Sequence, residues 1–278
     1  MSQKVNGLAP SDISQLIEHV FAGNYGELPE NLTAVGAFWV SQSTQFNKTS
    51  QKYKNFYLLL RVENAFGGCC VEESQLNYSI AQEIAGSNLA DLIRHDNLAI
   101  KIAALDAYLG YVKPHSQAKN VTEFLLPAGT PITRAVARDQ QIINLLNIQQ
   151  GQKVGLIGVV NPLVDAIEEK GAQCLPCDFN IKKTQSGIDV VQDMLPVLQQ
   201  ADYLIATGMT LSNGSFEKIV ETAKKRDIPL VFYAQTGANI IPQFLNSGVT
   251  AVLSELFPFS QFSAIQSPVY LYRQEGTL

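Results

Sequence analysis

With 278 residues, the chain is long enough for two domains at roughly 100–200 residues each. Hydrophobic residues make up 46% and charged residues 16%, a globular composition that excludes a disordered chain. A net charge of −5 argues against partners that require a broad basic surface, such as nucleic acid or an anionic membrane.

In chain order, Ser11 opens an amphipathic helix over residues 11–22, with Ile13, Leu16, Ile17 and Val20 on one face. Residues 33–40 and 56–62 read as strands, and the polar stretch 41–55 between them as a hairpin loop. A short third strand is expected near 68–71. Residues 75–94 fit one helix, and residues 97–109 a second, mostly buried one. Consecutive strands flanked by helices make this half α+β. The segment 114–133, with Pro114, Pro127, Gly129 and Pro131, marks the expected junction, giving domains 1–125 and 126–278.

The second half alternates. A helix over 132–148 precedes strands at 153–160, 173–177, 202–207, 230–233, 249–253 and 269–272. Helices are expected at 162–170, toward 199, at 215–226 and at 239–246. Strands apolar on both faces, separated by helices, predict a Rossmann-like, doubly wound, mainly parallel sheet.

Ligands of such sheets bind beyond the carboxyl ends of the strands. Gly158 and Asn161 follow the first of these strands, but the full G-x-G-x-x-G is missing, so a tight NAD or FAD fit is not expected. Asp178, twenty residues after Gly158, stands where an acid holds ribose hydroxyls in nucleotide-binding enzymes. Thr207, Gly208, Thr210, Asn213 and Ser215 form the most polar loop, just before a helix start suited to an anion. Gln235 and Thr236 follow the next strand. The Cys174-x-x-Cys177 pair falls on a strand, where residues three apart face opposite ways, which argues against zinc or redox chemistry. His19, His95 and His115 are far apart and read as surface or capping residues.

The loop Thr207-Gly-Met-Thr-Leu-Ser-Asn-Gly-Ser215 resembles the T-G-x-T-x-x-N-G-T stretch of the putative heavy-metal-chelation family, whose biochemistry is unknown. Residues 241–249, 84–92 and 97–107 are similar to further parts of that family. The resemblance implies an N-terminal domain like the enolase N-terminal fold, a Rossmann-like C-terminal domain and a site between them. On the N-terminal side it points to a Gly67-Gly68-Cys69 turn and to Asp106, which stands where the family tends to have Asn. Ala234-Gln235-Thr236 replaces a typical Gly-Pro-Ser/Thr, so the ligand is expected to differ.

Three functions follow as expectations. One is an enzyme on a heterocyclic or metal-chelating metabolite, with Asp106 or Asp178 as acid/base. Another is a non-catalytic binding protein for a metabolite or metal complex. The third is an S-adenosylmethionine-dependent methyltransferase. No cofactor and no metal ligand is assigned, and the expected partner is a small molecule. The oligomeric state is open, a homodimer included. Residues 1–10 lack the apolar core of a signal peptide and no apolar run approaches the ~20 residues of a membrane span, so a cytoplasmic location is expected.

Overall fold

The computed structural model describes residues 9–45 and 52–274. Helix α1 (Ile13–Phe21) is capped by Asp12 rather than Ser11, because the Asp12 carboxylate accepts from the Gln15 backbone N–H at 2.8 Å. Strands β1 (Gly36–Gln45), β2 (Lys52–Val62) and β3 (Ala65–Val71) form an antiparallel sheet. The expected loop 41–55 is therefore mostly strand. Its polar residues pair across the ribbon instead, as where Asn55 donates to Gln42 at 2.9 Å. The central part of that stretch, 46–51, lies outside the described residues.

The expected helix 75–94 is two short ones, α2 (Ile80–Ile84) and α3 (Leu89–Ile93). Gly86, at φ +84°, ends the first, and Asn88 caps the second. Helix α4 (Leu98–Val112) is buried on nearly every side and lies against β2 and β3. Gly67 permits that contact: a Cβ there would sit 2.1 Å from the Ala107 backbone nitrogen. The expected Gly67-Gly68-Cys69 turn is thus the middle of β3, pressed against a helix.

Strand β4 (Val121–Leu126) follows, then α5 (Pro131–Asn144), β5 (Lys153–Ile157), α6 (Asn161–Glu169) and β6 (Gln173–Cys177). Next come α7 (Leu195–Gln200), β7 (Tyr203–Thr207), α8 (Phe216–Arg226), β8 (Leu230–Ala234), β9 (Ala251–Ser254) and β10 (Ser267–Arg273). The expected helix at 239–246 is only a single 3-10 turn, Ile241–Phe244. The seven-stranded sheet has the order β4-β10-β9-β8-β7-β5-β6. It is parallel from β9 to β6, while β10 runs antiparallel to both its neighbours. Strand β4 crosses the expected division between 125 and 126 and pairs inside this sheet.

One face of the large sheet is covered by α5 and α6, through Ile142, Ile143, Leu163 and Ile167. On the other face a single apolar cluster runs without a break from α4 (Ala103, Leu105) to Leu204, Phe232 and α8 (Phe216, Ile219). The two halves therefore share a core, and burial at roughly 25 cal/mol per Å² of apolar surface holds them together. Among the described residues, no helix is long and apolar enough to cross a membrane.

Candidate functional site

The crossovers from β5 to β6 and from β6 to β7 run in opposite directions, so the sheet's switch point lies between the ends of β5 and β7. Gly158 sits there at φ +87°. A Cβ on it would meet Thr207 Cγ2 at 2.5 Å and the Tyr233 hydroxyl at 2.9 Å. Tyr233 reaches across β7 and donates to the Gly158 carbonyl at 2.8 Å. The spot where a dinucleotide would place its phosphates is filled by protein.

Asp178 is spent in the same region. One carboxylate oxygen accepts from Val159 N at 2.9 Å, and the other from Asn180 N at 2.8 Å and Ile181 N at 3.2 Å. Three of its roughly four acceptor positions are used on backbone. Asn161 does not cap α6; it is the first helical residue, and its side chain accepts from Gln185 N at 2.9 Å.

The polar loop after β7 also satisfies itself. Thr207 Oγ1 accepts from Met209 N, and the Thr210 hydroxyl donates to Thr207 O at 2.9 Å. The Asn213 side chain takes both the Ser215 N–H and its hydroxyl, so Ser215 is not a side-chain cap for α8. Thr210 is buried, whereas Asn213 is exposed. Gly208 lies under the Thr236 carbonyl, 2.1 Å from where its Cβ would be.

The junction of the two halves is built from Gly68, Asp106, Thr236 and Asn239. Asp106, buried on α4, accepts from Gly68 N at 2.9 Å and from Asn239 N at 2.7 Å. Burial pushes its carboxyl up to about 7, against the pull of these N–H groups. The Thr236 hydroxyl accepts from Cys70 N at 2.8 Å, and Gly68 O accepts from Gly237 N. Asp106 and Thr236 thus join β3 to the loop after β8.

Beside this junction lies a polar cluster that the strand-end residues named from sequence only touched. Gln235 Nε2 donates to Glu255 at 2.8 Å and to Gln261 at 2.9 Å, and the Tyr57 hydroxyl of β2 donates to Gln235 Oε1 at 3.1 Å. Glu255 also accepts from the Ser260 N–H and faces Arg138 at 3.5 Å. Arg138 pairs with Asp139 at 2.7 Å, and both lie on the buried face of α5. Burial works against the Arg138 cation, but the two carboxylates hold its pKa above the ordinary value. Burial raises the Asp139 carboxyl, outweighing Arg138. One Asp139 oxygen, Oδ2, is buried with no hydrogen-bond partner among the described residues. Phe259 and Phe262 pack on Tyr57 at 5.1 and 5.9 Å and form an aromatic wall.

Two signals for this cluster were present in the sequence. Glu255 comes two residues after a predicted strand, as Gln235 does. Arg138 and Asp139 share a helical stripe with Ala135, Ile142 and Ile143, an unusual place for charge. His115, expected at the surface, is instead 3% exposed, because it stacks on Tyr270 at 4.8 Å.

Residues 141–254 match the DUF364 family, described as "Putative heavy-metal chelation". A crystal structure of a DUF364 protein of unknown function from Desulfitobacterium hafniense is similar with TM-score 0.59 at 13% identity, over 94% of this chain and all of that one. Another, from Pyrococcus horikoshii, gives TM-score 0.53 at 18% identity, over 83% and 92%. At these identities the likeness is one of fold, a two-part α/β architecture. No curated protein matches the chain. Arg138, Asp139 and Glu255 flank the DUF364 match at its two ends.

The residues present do not fit a bare heavy-metal ion. Among the described residues, no three His, Cys, Asp or Glu side chains are grouped so as to hold one. All four cysteines are buried, and burial pushes the Cys70 and Cys174 thiols up to about 12 and Cys177 up to about 11.

Proposed function

We propose that this protein binds a small metal-chelating heterocycle, rather than a metal ion, at the ends of β8 and β9 where β2 approaches them. The observation that carries this reading is Asp139 Oδ2, a buried carboxylate oxygen without a donor. Leaving such a group unmatched costs on the order of 1–3 kcal/mol or more. A ligand N–H or O–H supplies the missing donor. The half-buried Gln235 and Gln261 amides pair with each other and with Tyr57, which fixes the polar edge beside Glu255, and the Tyr57, Phe259 and Phe262 rings offer a face for a planar molecule. Pterin has the matching chemistry: a ring N–H beside an exocyclic amine faces a carboxylate, and the opposite edge chelates metal. The family description supports a link to metal handling; that link would pass through such a chelator.

The test is a thermal-shift titration with pterin and, separately, with zinc or nickel salts. Ligand at 100 times its dissociation constant adds roughly 2.7 kcal/mol to stability. The expected result is stabilisation by pterin, weakened in Asp139→Asn, and none by the metal alone. Stabilisation by the bare metal without the heterocycle would overturn the reading.

A further inference from the structure

A separate cavity of about 190 Å³ opens on the other side of the 255–262 segment, between the two halves. Phe66, Tyr111, Phe257 and Tyr270 wall it, and His115 and Asn239 contribute its buried polar groups. Among the described residues, no Lys, Arg, Asp or Glu lines it. The Asn239 carboxamide is 2% exposed, yet among the described residues neither its Nδ2 nor its Oδ1 has a hydrogen-bond partner, and His115 Nε2 has none either. The carboxamide lies close enough to Asp106 and His115 to bias their protonation, but not in hydrogen-bond geometry with either. His115 Nδ1 is engaged with the Tyr272 hydroxyl, which leaves Nε2 as the available edge whichever tautomer is present. Burial lowers the His115 pKa to about 4, so the ring is neutral near pH 7.

Such a cavity selects against charge. An anion entering it would lose its hydration and meet no countercharge. A free carboxamide with both donor and acceptor unmatched is complementary to another amide, which pairs with it through two hydrogen bonds. The aromatic walls accept a flat ring, and the volume, below the ~300 Å³ at which drug-sized pockets begin, limits the ligand to about one ring. We propose that this cavity is a second binding site, for a small neutral aromatic or cyclic amide held by the Asn239 carboxamide and His115 Nε2. It does not depend on the pterin-type site proposed above, since it shares none of the Arg138, Asp139 and Glu255 cluster.

Gly110 is the natural gate for a test. A Cβ there would stand 3.0 Å from Asn239 Nδ2 and crowd the carboxamide. Nicotinamide is titrated calorimetrically into the wild-type protein, with nicotinate as the charged isostere. The expected result is saturable binding of nicotinamide and none of nicotinate. Asn239→Leu keeps the backbone N–H that donates to Asp106 and removes the amide edge; it should weaken nicotinamide about tenfold or more, the value of roughly one net hydrogen bond to a matched amide. Gly110→Ala, which leaves every polar group in place, should weaken it as well and serves if Asn239→Leu does not fold. Failure of nicotinamide to bind the wild-type protein, the outcome for a cavity that holds water alone, overturns the proposal. So does equal binding of nicotinate, or binding unaffected by both variants.

Discussion

The two sides of the 255–262 segment solve the same burial problem in different ways. On one side Arg138, Asp139 and Glu255 are charged and held by pairing, with a single carboxylate oxygen left over. On the other, His115 and Asn239 are uncharged, and three of their polar atoms face no partner. The charged side is internally committed and should tolerate little change, whereas the neutral side is stabilised by its aromatic walls and should change ligand affinity more than fold.

The largest expected effect is on the charged side. Arg138→Met leaves two buried carboxylates without their cation and should cost ~3–5 kcal/mol in urea unfolding. Adding Glu255→Gln should recover part of this. If Arg138→Met is as stable as wild type, the cluster is not held by charge pairing and the contrast fails. Asp106→Ala, at the junction beneath the neutral side, removes the acceptor for two buried N–H groups and should cost about 2 kcal/mol, at about 1 kcal/mol each.

The pH dependence sharpens the contrast. Asp106 has a folded pKa of about 7, above the ~3.9 of an unfolded Asp, so its stability contribution is full below about pH 4 and is lost as pH rises to 7. His115 has a folded pKa of about 4, below the ~6.5 of an unfolded His, so its contribution is full above pH 6.5 and is lost as pH falls toward 4. The two slopes oppose each other in the same window. Replacing His115 with Phe should expose the Asp106 slope, up to ~1.4 kcal/mol per pH unit of stability lost as pH rises between about 4 and 7. A stability difference from wild type that does not vary with pH would contradict the neutral His115.

The smallest effect concerns the loop most conspicuous in the sequence. Thr210→Ala should cost only ~0.5–1.5 kcal/mol, the value of its bond to Thr207 O, and leave pterin and nicotinamide affinities unchanged.

That loop shows how far the sequence could be read. The alternation of β5 to β9 and the polar strand ends were legible, because apolar runs and turn residues report parallel strands directly. What was not legible is whether a polar loop faces a ligand or itself. The hydroxyls and amide of Thr207, Thr210, Asn213 and Ser215 close on one another and on their own backbone, and composition cannot distinguish that from an open cradle. Glu255 obeyed the same strand-end rule as Gln235 and was missed only for lack of polar neighbours. His115 and Asn239 meet across more than a hundred residues of chain, a proximity that no local pattern encodes. The polar ribbon of β1 and β2 was missed because strands with little burial on either face show no apolar alternation.

The measurement that bears most directly on the proposed function is a calorimetric titration of pterin into wild-type protein and into Asp139→Asn, with nicotinamide titrated in parallel. Pterin is expected to bind the wild type and to lose about tenfold or more in affinity in Asp139→Asn, as for one charge-assisted hydrogen bond, with nicotinamide unchanged. Pterin binding that is absent, or equal in both proteins, would contradict it.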